Sequence, residues 1–264
     1  MPTSRLVLTR PLCVLWRTDD DLQLGLDADE SVVLPDVPPG TDAALRALRT
    51  PRTRLEVARM VPMLPRHTLD RVLTTLVGAG LLAPVGPPRP IPVTVLGSGP
   101  LAGAVADLLE REGAQVRAGV RVPADPGVVV VCGATAEPDR VLTRDLTAAE
   151  LAHLVVRAEP ERAVVGPFVV PGRTACVGCT DLVRRDLDDG WPHLLAQLCR
   201  SEHIPAPRQA AWAAALASAQ LHAWHAGRTP ESVGATHELD AHTGTVGARR
   251  WPRHPDCGCA LAGQ

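Results

Sequence analysis

Two close cysteine pairs, Cys176-Val177-Gly178-Cys179 and Cys257-Gly258-Cys259, stand 77 residues apart in a chain of 264. No other feature restricts the fold as much. If the four thiols meet, the segment after Pro171 must lie beside the end of the chain. Widely separated thiol pairs are the pattern of a structural zinc site, in which four tetrahedral thiolates leave the metal no open position. The competing reading is a set of buried free cysteines or a disulfide. The second pair has one intervening residue rather than two. That spacing leaves His254 or Asp256 as an alternative to one thiolate. The sequence therefore predicts one zinc per chain, acting as a staple.

The rest of the chain divides around a stiff stretch, Gly86-Pro87-Pro88-Arg89-Pro90-Ile91-Pro92. We read residues 1–88 as a small α+β domain, 89–92 as linker and 93–264 as an α/β domain. In the first, Leu12–Trp16, Asp21–Leu26 and Ser31–Leu34 are apolar-rich runs separated by Asp-containing turns, and they predict three strands. Three short helices follow. Thr41 is placed as the cap of the first. Thr53-Arg54-Leu55-Glu56 fits a capping box for the second. Thr68 is placed as the cap of the third, whose Leu69, Val72, Leu73, Leu76 and Val77 form one apolar stripe. Strands plus three helices make a winged-helix-like unit.

The second domain opens with an apolar strand, Val93–Leu96, a glycine turn and a helix through Arg111. Strands are expected at Gln115–Val120 and Val128–Cys132, so the opening is βαβ and predicts a twisted α/β sheet. Gln209–Ala226 is an alanine-rich helix suited to close packing. Ala235–Leu239 and Thr245–Arg250 predict a hairpin turned by His242-Thr243-Gly244, with the second cysteine pair after it.

Composition matters chiefly for what it excludes. All 27 basic residues are arginine, so the chain has neither a phosphate-binding P-loop lysine nor a Schiff-base lysine. No run approaches the ~18 apolar residues of a membrane span, and no signal sequence is evident, so we expect a cytoplasmic protein. Residues 1–88 hold ten arginines against ten acids, which argues against DNA binding, since that leans on phosphate neutralisation. Such a domain can instead offer a strand edge to an extended peptide.

Gly97-Ser98-Gly99-Pro100-Leu101-Ala102 fits the dinucleotide fingerprint in its Gly/Ala variant, with Gly97, Gly99 and Ala102 as the cofactor-binding candidates. Its supporting parts are missing. No acid ends the second strand to hold a ribose, and no carboxylate follows Cys132 until Glu137. We favour a tight turn that preserves the fold. His237-Glu238-Leu239-Asp240-Ala241-His242 is not a zinc-protease motif, because its histidines are five apart and its residues suit a strand. Cys13, Cys132 and Cys199 are isolated and read as core residues.

With these pieces placed, Val165-Gly166-Pro167-Phe168-Val169-Val170-Pro171-Gly172-Arg173-Thr174-Ala175-Cys176-Val177-Gly178-Cys179, Trp191-Pro192 and Arg253-His254-Pro255-Asp256-Cys257-Gly258-Cys259 carry a family resemblance. Residues 93–264 resemble the ThiF-like (ubiquitin-activating-enzyme-like) partner proteins of azole-forming peptide biosynthesis. Residues 1–88 resemble their peptide-recognition element through Trp16-Arg17, Leu22-Gln23-Leu24-Gly25 and the third helix. The resemblance implies a ThiF-like Rossmann-type domain with Cys176, Cys179, Cys257 and Cys259 as zinc ligands. It implies a non-catalytic role: binding a precursor leader peptide and docking a separate YcaO-type cyclodehydratase. Leader contacts would fall at Val32, Val33 and Leu34, and around Arg66, Leu69, Asp70 and Leu73. Relatives often form homodimers. Such family members have lost adenylation, so ATP is not expected. The competing readings are a ThiF-like adenylyltransferase, a dinucleotide-dependent oxidoreductase and a DNA-binding regulator.

Overall fold

A computed structural model describes residues 4–29, 31–85 and 90–260; the first half of the proline-rich stretch, 86–89, lies outside them. The chain divides into two compact units, Met1–Arg89 and Pro90–Gln264, and each is taken by itself.

The first unit contains β1 (Arg5–Leu8), β2 (Val14–Trp16), β3 (Leu22–Leu24), β4 (Val32–Leu34), α1 (Thr41–Ala47), β5 (Arg52–Thr53), α2 (Arg54–Met60), α3 (Arg66–Gly78) and β6 (Leu82–Val85). Side-chain alternation explains the meander β2-β3-β4. Val14, Leu22, Leu24 and Leu34 point into the core, and Leu15 and Val33 point out on either side of Gln23. β4 is an edge of this sheet. A second small sheet has the order β5-β1-β6. Sequence reading missed it because β1 finds its partner β6 more than seventy positions away, with no turn signal to announce the pairing.

The capping box of α2 is formed. Thr53 Oγ1 accepts the Glu56 amide at 3.1 Å, and Glu56 accepts the Thr53 amide at 2.7 Å. The other two caps are corrected. α1 is capped by Gly40, and the Thr41 hydroxyl turns back to the Pro38 carbonyl at 2.7 Å. α3 starts at Arg66 after Pro65, so Thr68 is a buried first-turn residue. Proline fits a helix start because its fixed φ and missing N–H cost nothing there. The apolar stripe of α3 is buried at Leu69, Val72, Leu73 and Leu76 and ends on half-exposed Val77.

The second unit runs β7 (Pro92–Gly97), α4 (Gly99–Arg111), β8 (Gln115–Gly119), β9 (Val128–Cys132), α5 (Arg140–Ala148), β10 (His153–Ala158), β11 (Arg162–Val169), α6 (Val177–Leu187), α7 (Trp191–Leu198), α8 (Pro207–His225), β12 (Ala235–Asp240) and β13 (Val246–Arg250). Its seven-stranded sheet has the order β13-β12-β11-β10-β9-β7-β8. The pairs β8/β7, β7/β9 and β9/β10 are parallel, and β10 to β13 pair antiparallel. The result is a large mixed α/β sheet.

Strands buried on both faces need apolar residues at successive positions, and Val128-Val129-Val130-Val131 and Leu154-Val155-Val156 supply them. On one face Val93, Val95, Leu154 and Phe168 pack with Val105 and Leu109 of α4 and with Ala213, Ala217 and Leu221 of α8. The alanines let α8 approach closely. On the other face Leu96, Val129 and Val131 meet Leu146 of α5. No helix among the described residues is long and apolar enough to cross a membrane.

Candidate metal centre and binding surfaces

Chain geometry brings the two cysteine pairs together. β11 ends at Val169, and the Thr174 hydroxyl accepts the Val170 amide at 2.9 Å, turning the chain toward α6. Cys176 is the N-cap of α6 and Cys179 lies in its first turn. Residues three apart share a helical face, so both sulfurs look the same way. The tail is held by Trp251, which is buried. Its amide donates to the Gly234 carbonyl at 2.8 Å and its indole N–H to Thr236 Oγ1 at 3.0 Å. Six residues on, Cys257 and Cys259 reach the first pair.

The four sulfurs lie within 4.8 Å of one another, a group that could hold a metal ion. Cys176 and Cys257 are 3.6 Å apart, Cys179 and Cys259 3.4 Å, and Cys176 and Cys179 3.9 Å. A tetrahedron with metal–sulfur bonds near 2.3 Å has edges of about 3.8 Å, so the donor set fits a zinc-sized thiophilic ion. The separations are far beyond a disulfide bond. His254 is not a competing ligand. Its Nε2 meets Asp186 at 2.7 Å and its Nδ1 accepts the Asp256 amide at 3.1 Å. Asp256 itself is exposed and faces Arg185.

Electrostatics within the cluster also suit a cation. The Cys179 thiol is lowered to about 4, first by the hydrogen bond from Cys176, then by backbone amides of His254 and Cys176. Its donor Cys176 is raised in turn, and Cys259 is raised to about 11, chiefly by burial. Four neighbouring thiols cannot all ionise alone, and a bound divalent ion would supply the compensating charge. Cys132, by contrast, is a core residue whose thiol burial pushes up to about 12.

Beside the cluster lies a cavity of about 520 Å³ between α5 and α6. Val141, Arg144 and Ala148 form one wall, and the sulfur-bearing residues Cys176, Cys257 and Cys259 form part of the other.

An ion-pair network behind α5 was not foreseen from sequence. Glu137, 3% exposed, meets Arg140 at 2.7 Å, Arg184 at 3.0 Å and Arg157 at 3.3 Å. Arg140 also holds Asp181 through two hydrogen bonds, of 2.7 and 2.9 Å. Arg184 stacks on Trp191 and Trp251 at 4.5 and 5.0 Å. Burial pushes the Glu137 pKa up, but the charges of Arg157, Arg140 and Arg184 outweigh it and hold the carboxyl below its ordinary value. The available signal was Arg157, a charge inside the apolar strand His153–Ala158.

At the glycine turn, a Cβ on Gly97 would stand 1.9 Å from the Cys132 carbonyl oxygen, and φ is +144°. Gly97 is thus required for the close approach of β7 and β9. Gly99 has φ +84° with open space around it, and Ala102 is buried. Gly97→Ala should therefore cost about 2–4 kcal/mol, against about 1 kcal/mol for Gly99→Ala. Urea unfolding of the two variants checks the order.

The proposed leader contacts fall in two classes. Leu34, Leu69 and Leu73 are buried and Val32 is half-buried. Val33, Arg66 and Asp70 are exposed, with Asp70 paired to Arg54 at 3.0 Å. Side chains of the second class are open to a peptide; the buried leucines shape the surface from within.

Together these features define a mixed α/β protein with a four-thiol centre and a separate small α+β unit. No family model matches the chain, and no curated protein matches it. Solved structures share its fold. The heterocyclase TruD aligns at TM-score 0.68 and 18% identity, over 97% of this chain and 43% of that one. A heterocyclase in complex with substrate and cofactor aligns at 0.73 and 16%, over 98% and 40%. E. coli MccB with ATP aligns at 0.57 and 13%, over 97% and 99%. The chain thus spans about two fifths of the heterocyclase chains and nearly all of MccB.

Proposed function

We propose that this chain is a ThiF-like, non-catalytic protein of peptide modification. Its first unit captures the leader of a precursor peptide, and its second serves as a scaffold for a YcaO-type cyclodehydratase. The observation that carries the reading is the edge position of β4 in its sheet, with Val33 exposed on the outward face. An extended peptide can add there as a further strand, with backbone hydrogen bonds for affinity and outward side chains for register. The shared fold with heterocyclases and with MccB supports it, as does a Gly97 already explained by strand packing. The four cysteines would hold a structural zinc, which supplies cross-linking and no open coordination position. Within this reading Cys176 and Cys179 fix the start of α6, and Cys257 and Cys259 fix the tail against it.

The direct test is co-purification of the tagged protein with a short peptide or a YcaO-type enzyme; consistent absence of both would count against the reading. Val33→Asp should weaken peptide binding at least tenfold, measured by fluorescence anisotropy, because it places a charge on the outward face of the receiving strand. Unchanged affinity would remove β4 from the proposal.

A second reading, an adenylyltransferase acting on a C-terminal carboxylate, is favoured by the match to nearly the whole of an ATP-bound MccB. ATP–pyrophosphate exchange in the presence of a peptide substrate distinguishes the two.

A further inference from the structure

We infer that the four-cysteine cluster is an oxidant-accessible modification site. Hydrogen peroxide would convert it into two disulfides, Cys176–Cys257 and Cys179–Cys259, and these keep the two chain segments joined after the metal has left. Only the metal-release part rests on the zinc reading; the pairing is carried by the thiols themselves.

Access comes first. The cavity beside α5 is lined by Cys176, Cys257 and Cys259, and its volume of about 520 Å³ admits small solutes easily. Cys179 is fully buried and is not on that wall. Oxidation of thiols follows exposure, so the first attack falls on the tail pair, Cys257 and Cys259, which are the more exposed.

Pairing comes second. Each tail cysteine has a close partner across the cluster. Cys257 lies 3.6 Å from Cys176, and Cys259 lies 3.4 Å from Cys179. The local alternative within the first pair is longer, at 3.9 Å. The local alternative within the second must close a small ring through Gly258 alone. Of these three separations the two shortest cross between segments.

A Cys257 thiolate attacks one peroxide oxygen, the O–O bond breaks, hydroxide leaves and a sulfenic acid remains. The Cys176 thiolate attacks the Cys257 sulfur, the S–S bond forms and a second hydroxide leaves. Two protons from solvent turn the hydroxides into water. Cys259 and Cys179 repeat the sequence with a second peroxide. Four thiolates are oxidised by two electrons per pair, two peroxides are reduced, and the ion loses its ligands because disulfide sulfurs do not replace thiolates.

The test uses the full chain carrying Cys13→Ser and Cys199→Ser, which removes the other cysteines not fully buried. Zinc-loaded protein is titrated with hydrogen peroxide. Released metal is read with a chromogenic chelator, and disulfides are mapped by mass spectrometry of a non-reducing digest. The expected result is one zinc released for two peroxides, with Cys176–Cys257 and Cys179–Cys259 peptides dominant. The oxidised, metal-free protein should keep a melting midpoint well above that of reduced, chelated protein. Predominant Cys176–Cys179 and Cys257–Cys259 pairing would overturn the inference, as would sulfinic or sulfonic acids without disulfide. Val141→Trp, at a half-exposed position on the cavity wall, should slow the reaction several-fold, and an unchanged rate would overturn the access route. If the protein binds no zinc at all, the metal reading fails, and the peptide map alone still decides the pairing.

Discussion

Replacing Cys179 with serine is expected to abolish the metal binding proposed for the cluster and to lower the melting midpoint of the second unit by on the order of 10 °C. Cys179 is the fully buried member of the cluster and touches both Cys176 and Cys259. A hydroxyl there is a poor ligand for a thiophilic ion, and three remaining thiolates hold zinc far less tightly. The stabilisation at stake is that of a cross-link closing a loop of some eighty residues, about 3–5 kcal/mol. For a unit of this length that corresponds to roughly 6–20 °C. Metal content by atomic emission and a thermal scan, with and without a chelator, check it together. If metal content and midpoint both stay at wild-type values, the cluster is not a staple. A chelator should shift the wild type and leave the variant unmoved, which separates metal loss from a packing defect at the same position.

Glu137→Gln is expected to destabilise the same unit by about 3 kcal/mol. The substitution preserves shape and removes one negative charge shared by three guanidiniums. Arg157, 5% exposed, is left with Glu159 as its acidic partner and cannot recover water, and Arg184 loses the carboxylate it pairs with. Breaking one end of a buried ion pair costs more than the pair contributes, because a charge is stranded. The Glu137→Gln/Arg157→Met double variant should therefore recover part of the loss, and urea midpoints of the three proteins measure the coupling. The pH dependence has a definite sign. The folded pKa of Glu137 lies below its ordinary value, so its stabilisation is fully present above the ordinary carboxylate range. It is lost as pH falls through the lowered folded value. Glu137→Gln should accordingly show a flatter stability curve on the acid side than the wild type.

Much of the local structure was legible because local rules set it. The Thr53–Glu56 capping box, the stripe on α3, the parallel β7-α4-β8 opening and the β12-β13 hairpin all follow from spacing within a few residues. The misplaced helix starts at Thr41 and Thr68 are small failures of the same kind. Each threonine lies one or more residues inside a helix whose entry is set by Gly40 or Pro65. Long-range pairings were not legible. Nothing near Arg5–Leu8 indicates that Leu82–Val85 will lie beside it.

For the candidate sites the division falls differently. The sequence by itself determined which four thiols could meet, since only two close pairs exist and their spacing is that of metal ligands. It also determined that no lysine is available for chemistry. Tertiary structure alone decided that the sulfurs converge to separations suiting one tetrahedral ion, and that His254 is occupied by Asp186 and the Asp256 amide. It alone drew Glu137 into the reach of Arg140, Arg157 and Arg184, which come from three different elements. The physical reason is range. Ligand spacing and capping are fixed by bonds a few residues long, whereas burial and charge pairing depend on which distant segments the sheet brings face to face.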